Sequence, residues 1–203
     1  MTGTRFGFFL VLALLVSCRA PLPARPVAKA TPAAPGDTVV TREILTPDRV
    51  PIQTTCTPTG PELCFDATDN NCNGVIDEGC GIETGPLQFA IAWPEGADVD
   101  LDVTDPMKEK PSAEGRTESG LVKGRDCGRP QSVCHGQNLE NVWFAGDRPP
   151  PGRYKVEIKV AKSDDVRFPV KVRFGCRLGV KTFSLDVTID SAEETKVYEF
   201  VIQ

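Results

Sequence analysis

Tyr154-Lys155-Val156-Glu157-Ile158-Lys159-Val160 is the stretch on which the reading of this chain turns. Apolar side chains stand at 154, 156, 158 and 160, and charged ones at 155, 157 and 159. Successive side chains of a strand point to opposite faces, so a period of two marks a half-buried strand and would leave no coherent face on a helix. Phe183, Leu185, Val187 and Ile189 repeat the pattern. Working outward, short apolar runs bounded by Gly, Pro or charge predict strands at 87–93, 99–104, 141–145, 153–161, 167–174, 181–189 and 196–202. The fold expected for residues 85–203 is all-β, a seven- to eight-stranded antiparallel sandwich of Ig-like or jelly-roll type. Residues 106–139 read as a long loop insertion, with Cys127 and Cys134 close enough in sequence to staple it and Cys176 left as the odd thiol.

One predicted strand carries unusual charge. Asp98, Asp100 and Asp102 alternate with Val99, Leu101 and Val103, which places three carboxylates on one face. Their repulsion needs relief, either from Lys or Arg partners or from a hard cation shared with Asp105, Glu140 or Asn141. A second metal site at Asp98, Asp100, Asp105, Glu140 and Asn141 is therefore one of two readings.

Upstream, residues 56–80 hold Cys56, Cys64, Cys72 and Cys80 at a regular interval, with only acidic charges between them. So short a segment cannot bury a sufficient core, and its stability must come from disulfides, a metal or both. Four cysteines permit three connectivities; we expect the nested one, Cys64 with Cys72 and Cys56 with Cys80. Within the module, Asp69-Asn70-Asn71-Cys72-Asn73-Gly74-Val75-Ile76-Asp77 reads D-x-N-x-N-G-x-x-D, the first nine positions of an EF-hand-type loop. Oxygens of Asp69, Asn71 and Asn73, the Val75 carbonyl and Asp77 would converge on calcium, with Gly74 permitting the sharp turn. Position twelve is Cys80, and no amphipathic helix flanks the loop, so an EF-hand domain is excluded. The competing reading is a disulfide-held turn whose Asx side chains only cap backbone groups.

Residues 18–55 are rich in Pro and Ala and read as a linker, with a short strand at 38–44. Before them lies the apolar run 6–16, too short to span a bilayer, preceded by Arg5 and followed by Leu15-Val16-Ser17-Cys18. That tetrapeptide resembles the bacterial lipobox. The resemblance implies a signal peptide at 1–17, cleavage before Cys18, acylation of Cys18 with palmitate-type chains, and anchoring to a membrane. Arg19 in second place resembles the sorting signal for the outer membrane, which makes the expected location the cell envelope and the chain an outer-membrane lipoprotein.

The formal net charge is -5. An acidic chain with no basic cluster is not built to bind nucleic acid. Enzyme chemistry is poorly provided for as well. The chain has a single His, His135, and no G-x-S-x-G elbow, and Cys127 to His135 does not spell a haem-attachment motif.

Two resemblances extend this reading. Glu62-Leu63-Cys64-Phe65-Asp66-Ala67-Thr68-Asp69 through Cys80 closely resembles the MopE-type metal-binding motif repeat found in surface proteins of myxobacteria. Copper does not carry over, because soft copper sites want imidazole, thiolate or thioether ligands and the motif has no His. Gly96-Ala97-Asp98-Val99-Asp100-Leu101, Glu140-Asn141-Val142-Trp143 and Pro151-Gly152-Arg153-Tyr154 resemble the YfaP-type bacterial surface domain, which implies a β-sandwich without catalytic activity. His is frequent in that family where this chain has Asp102. The function expected is a lipid-anchored, calcium-binding cell-envelope protein, an interaction or structural module and not an enzyme, whose partner is a surface protein or glycan. The alternatives are a metal-delivery protein or an extracytoplasmic hydrolase.

Overall fold

The computed structural model describes residues 56–94, 96–113, 115–127, 134, 137–161 and 166–202, together with the backbone of a strand at 39–45. The expected signal peptide at 1–17, Cys18 and His135 lie outside the described residues. Nine strands occur in chain order: β1 (Val39–Leu45), β2 (Leu87–Ala92), β3 (Val99–Thr104), β4 (Leu121–Lys123), β5 (Leu139–Phe144), β6 (Gly152–Val160), β7 (Val170–Leu178), β8 (Lys181–Ile189) and β9 (Glu194–Ile202). They form two sheets, ordered β1-β9-β6-β3 and β4-β5-β2-β7-β8. No helix occurs among the described residues.

The all-β expectation holds, with three differences. The strand foreseen at 38–44 exists but pairs parallel with β9, so one pair departs from a purely antiparallel arrangement. The insertion at 106–139 is not all loop, since β4 lies within it and pairs with β5. And β7 runs on to Leu178, past the Gly175 at which a composition-based reading stops it.

The core lies between the sheets. Along β6, Tyr154, Val156, Ile158 and Val160 are buried while 155, 157 and 159 are not, as the alternation requires. Aromatic rings fill the centre, with Phe89 5.1 Å from Phe200 and Phe174 5.4 Å from Tyr198. Each such side chain contributes roughly 1.5–3 kcal/mol by burial.

β2 is the exception that explains the architecture. All six of its residues are buried, not every second one. Leu87, Phe89 and Ile91 enter the inter-sheet core, whereas Ala90 and Ala92 belong to a second cluster with Leu139 and the module's Ala67 and Ile76. The module is thus seated on the outer face of the five-stranded sheet, and its described residues fall in the same compact unit as those of the sandwich. The sheet accepts it because small residues face it. A Cβ on Gly175 would stand 2.2 Å from the Ala67 carbonyl oxygen. At the rim, the Arg125 guanidinium lies 4.7 Å from the centre of the Phe65 ring, a cation–π contact that ties the β4–β5 region to the module.

Cys127 and Cys134 are bonded as expected. Cys176 is the free thiol among the described cysteines, and complete burial pushes its pKa up and keeps it protonated.

Candidate metal loop and its seat on the sandwich

The module's disulfides are Cys56–Cys72 and Cys64–Cys80, each spanning sixteen residues. They interlock, which corrects the nested pairing expected from sequence. The cause is Glu62. Its Oε2 accepts the Asn70 and Asn71 amides at 3.0 and 3.3 Å, and its Oε1 accepts the Asp77 amide at 2.8 Å. This draws the strand of chain carrying Cys64 across the loop toward Cys80. Burial raises the Glu62 pKa against the effect of those three amides.

In the first half of the loop the Asp and Asn side-chain oxygens accept backbone amides, the contacts that the capping reading describes. Asp69 Oδ1 accepts the Asn73 amide at 3.1 Å and Oδ2 the Gly74 amide at 2.9 Å. Asn71 and Asn73 each accept an amide two residues on, from Asn73 and Val75. Gly74 takes a left-handed φ of 87°, and a Cβ there would lie 2.8 Å from the Val180 carbonyl oxygen, so both turn and close approach demand glycine. Asp69 Oδ2 also accepts the Thr182 hydroxyl on β8 at 2.8 Å, which fastens the loop to the sandwich.

The second half differs from expectation. Asp77 is fully buried, and its two oxygens accept the Asp66 and Ala67 amides, each at 3.1 Å. Burial pushes its pKa up to about 7, with those amides opposing the shift. Asp77 thus holds the 66–67 segment. The carboxylate that meets Asn71 and Asn73 is its neighbour Glu78, whose Oε1 accepts both side-chain amides. Glu78 Oε2 is buried with no hydrogen-bond partner. The oxygen-bearing side chains gathered here are the carboxylates of Asp69 and Glu78 and the amides of Asn71 and Asn73. Among the described residues, no three Asp, Glu, His or Cys side chains group as a metal site by themselves. Glu78 falls outside the D-x-N-x-N-G-x-x-D spacing, and Thr182 is more than a hundred residues away, so neither carried a local signal.

The five residues of the other candidate site meet different neighbours, and the second carboxylate oxygen of Asp105 is buried with no hydrogen-bond partner. Asp100 is 3.9 Å from Lys159, and Asp102 pairs with Lys110 and Lys159 at 3.3 and 3.2 Å. These partners pull the Asp102 pKa down against the opposing effect of burial. Asp98 sits at the threshold of β3, where its carbonyl accepts the Ala161 amide. Asp105 is buried and caps the Glu109 amide at 2.8 Å. Asn141 accepts the Arg125 amide and donates to the Glu83 carbonyl. Glu140, fully buried, accepts the Leu101 amide at 2.8 Å and the Lys123 ammonium at 3.0 Å. Lys123 in turn reaches the Leu101 carbonyl at 3.5 Å. β3 is an edge strand, and this ion pair satisfies backbone groups that the edge would leave bare.

No protein-family model matches this chain, and no curated protein or solved structure matches it significantly. The reading of the site therefore rests on its own chemistry.

Proposed function

We propose that this chain is a lipid-anchored interaction module of the cell envelope that binds calcium in the loop 69–78, on a sandwich of Ig-like or jelly-roll type. The observation that carries the calcium reading is the meeting of Glu78 with Asn71 and Asn73 beside Asp69, with one buried Glu78 oxygen left without a partner. Hard oxygen donors of low total charge suit calcium at about 0.1–1 mM, the range of extracellular modules. Asp69, Asn71, Asn73, the Val75 carbonyl and Glu78 would hold the ion, and Asp77 would brace the loop from behind. The resemblance to the MopE-type motif and the YfaP-type domain supports the same assignment, as does the seating of the module on a β scaffold.

The anchor reading rests on Leu15-Val16-Ser17-Cys18. Cys18→Ser is expected to abolish acylation and move the protein from the membrane fraction to the soluble one. A variant that still sediments with lipid, beside a wild type whose N-terminus is unmodified, would refute it. Elemental analysis of protein equilibrated, without chelator, against calcium well above about 1 mM should find calcium in excess over the dialysis buffer and neither copper nor zinc.

A further inference from the structure

We propose that Thr182, the second residue of β8, is a positioning residue of the calcium loop, its hydroxyl fixing which oxygen of Asp69 meets the ion; this adds a residue of the sandwich to the site above and rests on that reading. Thr182 stands 113 positions from Asp69 in the chain, so the affinity of the loop is set in part from outside the motif.

An ionised carboxylate offers about four acceptor positions, shared between its two oxygens. Asp69 Oδ2 fills both of its own, with the Gly74 amide at 2.9 Å and the Thr182 hydroxyl at 2.8 Å. Oδ1 fills one among the described residues, with the Asn73 amide at 3.1 Å. The acceptor position that stays open is therefore on Oδ1, and Asp69 meets a cation through that oxygen alone. Without the hydroxyl, Oδ2 would regain an open position, and the carboxylate would lose the contact that keeps it from turning.

The hairpin of β7 and β8 holds the hydroxyl in place. Thr182 is β-branched and stiff at χ1, so little side-chain freedom is lost when its oxygen is held against Asp69. The two backbones already touch, since a Cβ on Gly74 would lie 2.8 Å from the Val180 carbonyl oxygen. Across the hairpin, Arg177 pairs in register with Thr182. Its guanidinium donates to the Gly179 carbonyl at 2.9 Å and to the Thr84 hydroxyl at 3.3 Å, which ties the turn to the segment that leads out of the module. Burial lowers the Arg177 pKa and the Asp69 carboxylate opposes that fall, so both sides of the hairpin act on Asp69. Hydrogen-bond partners of metal ligands are worth roughly tenfold or more in affinity.

The test is calcium titration by calorimetry on the full-length protein in detergent micelles, comparing wild type with Thr182→Val, which keeps the branched shape, and Thr182→Ser, which keeps the hydroxyl. Thr182→Val is expected to bind calcium roughly tenfold more weakly, and Thr182→Ser to bind as the wild type does. In chelator, all three should reduce Cys56–Cys72 and Cys64–Cys80 at one rate, because the module stays seated. Coupling is reciprocal, so calcium should slow amide hydrogen exchange at 179–183 in the wild type and not in Thr182→Val. Wild-type heat that Thr182→Val reproduces would overturn this proposal and leave the calcium loop standing. Weakening shared equally by Thr182→Ser, or matched by faster disulfide reduction in chelator, would show that Thr182 only holds the module to the sheet, and would overturn it too. No heat in the wild type would remove the calcium loop and this proposal together.

Discussion

Gly175→Ala is expected to cost about 2–3 kcal/mol of stability. The added methyl carbon would stand 2.2 Å from the Ala67 carbonyl oxygen and 3.2 Å from Ile76 Cδ1, and the first of these is backbone held by two disulfides. Either β7 bends, which strains its pairing with β2 and β8, or the module lifts from the sheet and exposes Ala90, Ala92 and Leu139. Urea denaturation reads the loss directly. Lifting has its own signature, faster reduction of Cys56–Cys72 and Cys64–Cys80 with Cys127–Cys134 unaffected. An unchanged midpoint together with unchanged reduction rates would mean that the module is not seated on this face.

Glu140→Ala should be costlier, about 3–5 kcal/mol, because it strands the Lys123 ammonium and leaves the Leu101 amide without its acceptor. Glu140→Gln keeps an acceptor for that amide but cannot ionise, and it exposes a pH effect. Burial, reinforced by a hydrogen bond with Asp126, raises the Glu140 pKa to about 9, while Lys123 and the Leu101 amide oppose the rise. Its unfolded value is near 4.5. A carboxyl whose folded pKa lies above its unfolded one stabilises most below the unfolded value and loses that contribution as pH rises through the folded one. Between about pH 5 and 9 the wild type should therefore lose stability faster than Glu140→Gln, each kcal/mol appearing as roughly 2–4 °C in Tm. Parallel Tm profiles for the two proteins would show that Glu140 is ionised throughout.

How much of this was legible in the sequence depended on whether a residue's role was set locally. The alternation at 154–160 announces β6 because only one of its faces is covered. The run at 87–92 announces β2 as a strand but not that both of its faces are covered, since Ala90 and Ala92 make sense only once the module lies on them. Gly175 reads as a break for the same reason, although it marks a backbone-to-backbone approach. β4 is three residues long and is held by β5, too short for a period to show. Within the loop, the turn at Asp69, Asn71, Asn73 and Gly74 was legible because it is local: the three side chains accept nearby backbone amides and Gly74 takes the left-handed φ. Asp77 fits the same D-x-N-x-N-G-x-x-D spacing, yet it turns to the Asp66 and Ala67 amides, because Glu62 holds its own backbone amide and buries it. The disulfide connectivity followed from that same Glu62, a side chain whose part could not be read from cysteine spacing.

Calcium titration by calorimetry addresses the account most directly, on wild type, Asp69→Ala, Glu78→Gln and Asp100→Ala. The wild type should bind one calcium ion, and at ten times Kd the ion should add about 1.4 kcal/mol of stability. Asp69→Ala should abolish the heat, Glu78→Gln should weaken binding sharply, and Asp100→Ala should bind as the wild type does, since Asp100 faces Lys159 and not the loop. No heat in the wild type with equal protease resistance in calcium and in chelator, or heat lost in Asp100→Ala and kept in Asp69→Ala, would contradict the assignment of calcium to this loop.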